Sequence, residues 1–195
     1  MNRNTFVAAL AVLSFAASPL MAQTQAEERA VSGRPVLCPF PITRTLSAPP
    51  PAQPTPNPID FTGTLATAVA GSVWNQTALN HGFGHSFSIP DLSKECCVWT
   101  KATLIVKVKA LQAGAADSPS SANDWVQLVY HGASVPGSGQ KPFAGGATLG
   151  QTQTVTINVP QNILNSGIVS FYVQDDTAVL SAELRLEGCC IRPVK

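Results

Sequence analysis

The sequence predicts an all-β protein, an antiparallel β-sandwich that follows an export signal and a proline-rich tether. Apolar and polar residues alternate through most of the chain after residue 59, and loops rich in Gly, Pro, Ser and Asn separate the alternating stretches. The clearest alternation lies near the end, where Val169, Phe171 and Val173 precede a polar turn at 175–177 and a second alternating stretch follows. Helical apolar spacing is limited to one possible turn at 160–164.

Residues 1–22 have the pattern of a secretory signal peptide. Arg3 supplies the positive start, residues 5–17 form an apolar run, and Ala22 is a small residue at the expected cleavage site. The alternative, a transmembrane anchor, needs about 20 apolar residues, and this run is shorter and interrupted. The short start is typical of bacterial signals, so we expect a mature chain that begins at Gln23 and is periplasmic or secreted.

The charge balance excludes two classes of partner. The chain has 12 Lys and Arg residues against 11 Asp and Glu residues, and removal of the leader takes only Arg3 with it. The mature chain therefore carries no net charge with His neutral. Nucleic-acid binding and electrostatic attachment to anionic membranes both need an excess of basic residues, so we expect neither.

Residues 23–58 are rich in proline, which prevents a regular ladder of backbone hydrogen bonds and favours an extended chain. We interpret the segment as a tether, and the alternative is a proline motif that binds a partner. Cys38 lies within it and is expected to fix the tether to the domain.

Residues 59–195 are expected to form one sandwich, of the jelly-roll type or a related one. The side chains expected in the core come from four of its strands: Leu104, Val106, Ile157, Phe171, Val173, Leu184 and Leu186. The predicted strands cover residues 61–70, 82–89, 98–111, 125–130, 152–159, 168–174 and 179–187.

Five cysteines occur as Cys38 and two adjacent pairs, Cys96–Cys97 and Cys189–Cys190. An exported protein is expected to oxidise them, and adjacent cysteines lack the two-to-four-residue spacing of a zinc site. We therefore expect at least one disulfide between the pairs, a bonded Cys38 and one free thiol from a pair. An antiparallel register with Cys96 opposite Cys190 would place Cys97 opposite Cys189.

Several aromatic residues with a polar edge are candidates for stacking on sugar rings. The tentative ligand-binding residues are Trp74, which we expect to be the most exposed, Asn75, Tyr130 and His131. Trp99 and Trp125 are instead expected to lie in the core.

Acidic and amide side chains near two turns are a tentative calcium site: Asn123, Asp124, Asp175 and Asp176. The alternative is turn chemistry, in which these side chains accept hydrogen bonds from nearby backbone. No other cofactor is expected.

The histidines give a third possibility. Convergence of His81, His85 and His131 would favour a metal-dependent hydrolase. No GxSxG, HExxH or phosphate-loop motif accompanies them, so no catalytic residue is assigned.

The long central strand, the closing segment QDDTAV at 174–179 and the final cysteine pair resemble β-sandwich accessory modules of exported bacterial proteins. Galactose-binding-like and carbohydrate-binding modules are the nearest comparison. The resemblance implies a non-enzymatic module that binds a glycan or another cell-surface ligand. The alternative is a structural or assembly protein of the cell envelope that acts through contacts with other envelope proteins.

Overall fold

The computed structural model describes residues 38–49 and 57–191, which fold as two antiparallel four-stranded sheets packed face to face. The first sheet has the strand order β1-β8-β3-β6 and the second has the order β2-β7-β4-β5. This arrangement confirms the predicted all-β sandwich. The strands are β1 (Phe40–Ala48), β2 (Phe83–Ser88), β3 (Cys97–Ala110), β4 (Val126–Tyr130), β5 (Ala133–Ser134), β6 (Thr152–Asn158), β7 (Ile168–Val173) and β8 (Thr177–Cys190).

The core lies between the sheets and is built from the inward-facing half of each alternating strand. All seven side chains expected in the core are buried there, and Leu104 and Leu184 face each other directly across β3 and β8. The alternation therefore identified the correct face of these strands.

Two short helices connect strands. α2 (Gln161–Asn165) lies where the sequence predicted a single turn, and it buries Ile163 and Leu164. α1 (Gly63–Ala68) replaces a predicted strand, so that prediction was wrong. The physical reason is the spacing of Phe61, Leu65 and Val69, which recur every fourth residue and so lie on one side of a helical turn. Within the described residues, neither helix has the length and apolar content needed to span a membrane.

The segment around α1 packs on the outer face of the second sheet. A Cβ atom at Gly84 would lie 2.8 Å from the Phe61 ring and 2.9 Å from Val69 Cγ1. The Ser86 hydroxyl, also on β2, donates a hydrogen bond to the Ile59 carbonyl at 2.6 Å. Glycine and serine on β2 thus leave room for a layer that covers this face.

The predicted tether is wrong over Phe40–Ala48, which forms the edge strand β1 and pairs with β8 along its whole length. Between Pro41 and Pro49 the chain contains no proline, and Ile42, Leu46 and Ala48 provide partly buried or buried contacts. Proline is tolerated at the start of an edge strand because its missing N–H is not needed on the outer side. The predicted leader, residues 1–22, lies outside the described residues, as does most of 23–58.

The cysteines form two disulfides, Cys38–Cys189 and Cys97–Cys190, and leave Cys96 free and exposed. One bridge joins the two adjacent pairs and another fixes Cys38 to the domain. The predicted register was wrong by one residue, since Cys97 lies opposite Cys190 and Val98 opposite Cys189. Cys96 has a left-handed backbone (φ 55°) after a 3-10 turn, so β3 begins only at Cys97. The two disulfides fit a non-cytoplasmic protein.

Candidate functional site

The three histidines do not form a metal centre. His85 is buried on β2 between aromatic rings, and its Nδ1 accepts a hydrogen bond from the Asn57 N–H at 3.2 Å. Burial lowers the pKa of His85 to about 4 because the charged ring loses its hydration. Across residues 38–49 and 57–191, no group of three or more His, Cys, Asp or Glu side chains is arranged to hold a metal ion. This geometry does not favour the metal-dependent hydrolase.

The acidic residues instead join loops at one end of the sandwich. Asp124 is buried, and its Oδ2 accepts hydrogen bonds from the Asp176 N–H at 3.0 Å and the Thr177 hydroxyl at 2.7 Å. Asp176 Oδ1 accepts a hydrogen bond from the Asn80 N–H at 3.0 Å. Burial, with smaller contributions from Asp175 and Asp176, raises the pKa of Asp124 to about 6.

Calcium binding by Asn123, Asp124, Asp175 and Asp176 stays a prediction, and the geometry of these residues does not favour it. Asn123 is half-buried, and its backbone N–H is bonded to the Ser120 carbonyl at 2.9 Å. The Asp175 carbonyl accepts a hydrogen bond from the His81 N–H at 3.1 Å. The contacts of this corner match the alternative interpretation, in which these residues stabilise turns.

Trp74 is not the exposed aromatic that the sequence predicted. Its ring packs against the main core, with ring centroids 4.6 Å from Phe83 and 5.1 Å from His85. Its neighbour Asn75 is exposed, and Asn75 Oδ1 accepts a hydrogen bond from Lys109 Nζ at 2.6 Å. An aromatic core contact on one side and a lysine on the other leave little of this pair for a ligand.

Trp125 is the exposed tryptophan, contrary to its predicted place in the core. The residue is 39 % exposed, and Lys141 Nζ lies 5.3 Å from the centroid of its ring while bonded to Asp117 at 2.8 Å. A Cβ atom at Gly139 would lie 2.8 Å from the same ring. The contacts from Gly139 and Lys141 restrict the area of the Trp125 ring that is open for sugar stacking.

The strongest candidate is formed by Tyr130, His131 and Asp60, which we call the hairpin-tip site. Tyr130 ends β4, and His131 with Gly132 makes the two-residue turn into β5, where Tyr130 pairs with Ala133. The rings of Tyr130 and His131 are tilted by 42° with centroids 4.0 Å apart; Tyr130 is half-buried against the core, and the His131 side chain is 76 % exposed. The site therefore presents the His131 ring, with part of the Tyr130 ring beside it, at the tip of the β4–β5 hairpin.

Asp60 completes this site from the segment that leads to α1. Asp60 Oδ2 accepts a hydrogen bond from the His131 N–H at 2.8 Å, and Oδ1 lies 3.9 Å from His131 Nδ1. Sequence reasoning missed Asp60, although aspartate tolerates the left-handed backbone found there (φ 69°). Its carboxylate supplies a hydrogen-bond acceptor beside the rings.

The predicted ligand-binding residues thus fall into two groups. The ring contacts of Trp74 are with Phe83 and His85, whereas the Tyr130 ring contacts that of His131, and the structure describes no ring contact between the groups. The chain has no detectable match among protein-family models, curated proteins or solved structures.

Proposed function

We propose that this protein is an exported, non-enzymatic binding module of the jelly-roll class, and that it binds a glycan at the hairpin-tip site. Support for the jelly-roll class comes from eight strands in two sheets of order β1-β8-β3-β6 and β2-β7-β4-β5. Support for export comes from the two disulfides and from the signal pattern of residues 1–22.

The single observation that carries the glycan proposal is the exposed His131 ring, which lies against the half-buried Tyr130 ring and beside the Asp60 carboxylate. Aromatic faces pack on the C–H faces of sugar rings, and a carboxylate accepts hydrogen bonds from sugar hydroxyl groups. Asp60 Oδ2 already bonds the His131 N–H, so Oδ1 is the oxygen that would accept from the ligand.

The turn chemistry supports a role for His131 beyond structure. His131 and Gly132 both have positive φ angles, of 49° and 76°. Two-residue hairpin turns of this kind favour Asn-Gly, because asparagine adopts the left-handed backbone more readily than most residues. A histidine at this position makes the turn less stable than asparagine would. Strained backbone of this type clusters at functional sites.

A glycan array on the mature protein, followed by calorimetric titration of the best ligand, tests the proposal. His131→Asn removes the ring and keeps a residue that suits the turn, so we expect a loss of roughly tenfold in affinity, which corresponds to about 1.4 kcal/mol. Trp125→Phe is the matched control at the other end of β4 and should leave the affinity unchanged. Loss of binding in the control with full binding in His131→Asn would overturn the assignment.

The alternative, a structural or assembly protein of the cell envelope, is favoured by a different observation. β6 is an edge strand of seven residues, TQTVTIN, that contains no charged residue and no proline. Strand edges of this kind readily pair with another chain.

A further inference from the structure

β6 exposes backbone hydrogen-bonding groups along one side. Its other side is bonded to β3, with the Val159 N–H donating to the Ala102 carbonyl at 2.9 Å and the Gln151 carbonyl accepting from the Ala110 N–H at 2.9 Å. Backbone groups alternate in direction along a strand, so the odd-numbered residues bond to β3. The N–H and C=O groups of Thr152, Thr154, Thr156 and Asn158 therefore point away from the sheet.

The contact made by Gln140 agrees with this assignment. Gln140 Nε2 donates a hydrogen bond to the Thr156 carbonyl at 2.8 Å, from the side opposite β3. The Gln140 side chain is exposed. The even-numbered residues of β6, which are Thr152, Thr154, Thr156 and Asn158, are exposed as well. One outward carbonyl of the edge thus has a side-chain partner that an incoming strand would replace.

The other edges of the sandwich are protected. β1 contains Pro41 and Arg44 and is followed by Pro49, and charge and proline both discourage pairing at an edge. The edge of β2 that faces away from β7 is covered by the segment at Asn57, where the Ser86 N–H donates a hydrogen bond to the Asn57 carbonyl at 2.8 Å. β5 has only two residues. β2 also lacks charge and proline, so β6 is distinguished among the described edges by combining length and the absence of both with no backbone–backbone hydrogen bond on its outer side.

We propose that β6 is a self-association edge, which pairs antiparallel with β6 of a second copy of this chain about a two-fold axis. The pairing would join the two β1-β8-β3-β6 sheets into one continuous sheet. The register places Val155 opposite Val155 of the second copy, because this alignment overlaps the full strand and pairs even-numbered residues with even-numbered ones.

The sequence of β6 is compatible with itself in this register. Thr154 lies opposite Thr156 of the second copy, and threonine pairs across antiparallel strands are favourable. No like charges meet along the edge, since the strand has none. A closed two-fold pair uses the same surface on both copies, so the edge is satisfied without further growth.

Analytical ultracentrifugation of the mature protein over a range of concentrations tests this inference. All proteins carry Cys96→Ser, so that the exposed thiol cannot link copies covalently. We expect a monomer–dimer equilibrium that Thr154→Pro abolishes, because proline removes an outward N–H without breaking a bond to β3. Thr154→Val is the matched control, since it keeps the N–H and the branched shape, and it should still dimerise.

Three further variants test the register and the role of Gln140. Opposite charges should support pairing in the Thr154→Lys, Thr156→Glu double variant, whereas Thr154→Lys, Thr156→Lys should be monomeric. Gln140→Ala should strengthen dimerisation, since it frees the Thr156 carbonyl. Circular dichroism confirms that each variant folds.

The inference is overturned if the Cys96→Ser protein stays monomeric up to its solubility limit, or if folded Thr154→Pro dimerises as strongly as Thr154→Val. A dimer that the Thr154→Lys, Thr156→Lys variant leaves unchanged would also overturn it. Glycan titration of folded, monomeric Thr154→Pro separates the two proposals, because it measures the hairpin-tip site without the edge contact.

Discussion

Cys97 lies directly opposite Cys190 across β3 and β8, and the two are joined by a disulfide with their Cα atoms 4.0 Å apart. The second bridge, Cys38–Cys189, fixes the start of β1 to the end of β8. Three strands of one sheet are therefore linked covalently at the same end.

Peptide mapping under non-reducing conditions is expected to recover the pairs Cys38–Cys189 and Cys97–Cys190. Cys96 should be alkylated without reductant, since it is exposed and free. Recovery of Cys96 bonded to Cys189 or Cys190 would contradict the register described here.

Removal of the buried bridge should destabilise the domain. The Cys97→Ala, Cys190→Ala double variant opens a crosslink that spans 93 residues, and the chain-entropy model gives a loss of about 4.6 kcal/mol in the free energy of unfolding. Urea denaturation measures this, with Cys96→Ser as the control that should change little. Equal stability of the double variant and the control would exclude a stabilising role for the bridge.

Leu184→Ala should lower the free energy of unfolding by about 2–5 kcal/mol, since Leu184 is fully buried between β1 and β3. Its neighbour Arg185 points to solvent, so Arg185→Ala should change the stability by less than about 0.5 kcal/mol. Chemical denaturation measures both variants. Similar losses in the free energy of unfolding would mean that the buried face of β8 is wrongly assigned.

Gly84→Ala should destabilise the packing of the α1 segment on the second sheet. The added methyl group would lie 2.8 Å from the Phe61 ring, and overpacking of this kind costs about 1–3 kcal/mol. Gly145→Ala is the control, because its Cβ atom would meet nothing within 4 Å. Thermal unfolding of the two variants gives the comparison, and an unchanged midpoint for Gly84→Ala would contradict the close contact.

Asp124 and His85 should affect the pH dependence of stability in opposite directions. Folding raises the pKa of Asp124 from 3.8 to about 6, so protonation of Asp124 stabilises the folded state as the pH falls from 6 to 4. Folding lowers the pKa of His85 from 6.5 to about 4, so the stability that neutral His85 contributes above pH 6.5 is lost as the pH falls.

Denaturation curves at several pH values separate these two effects. Relative to the unmodified protein, Asp124→Asn should lose stability as the pH falls from 6 to 4, because the gain from protonation of Asp124 is gone. His85→Gln should show the reverse trend over the same interval. A difference between variant and unmodified protein that does not change with pH would contradict the shifted pKa of the residue concerned.

The sequence predicted the sandwich because alternation is strong where one face of a strand is buried and the other is in water. Leu104, Val106, Leu184 and Leu186 show this plainly, and all four are in the core. β1 was missed because proline at both ends obscured a short alternation of Ile42, Leu46 and Ala48. Its place depends on the partner strand β8, which local sequence does not show.

The candidate site was predicted only in part for a similar reason. Tyr130 and His131 are adjacent, so the sequence could associate them, but Asp60 joins them from 71 residues away. Exposure of Trp125 and packing of Trp74 depend on Gly139 and Phe83, which are distant from them in the sequence or on another element. Tertiary contacts, and not residue type, decided which tryptophan faces solvent.

An NMR titration of the isotope-labelled protein with the best glycan from the array tests the proposed site most directly. We predict saturable shifts of the Tyr130 and His131 ring signals and of the Asp60 and Gly132 amides, with the Trp74 and Trp125 indole signals unchanged. Saturable shifts confined to the Trp125 indole and its neighbour Lys141, with the His131 ring unaffected, would contradict the hairpin-tip site.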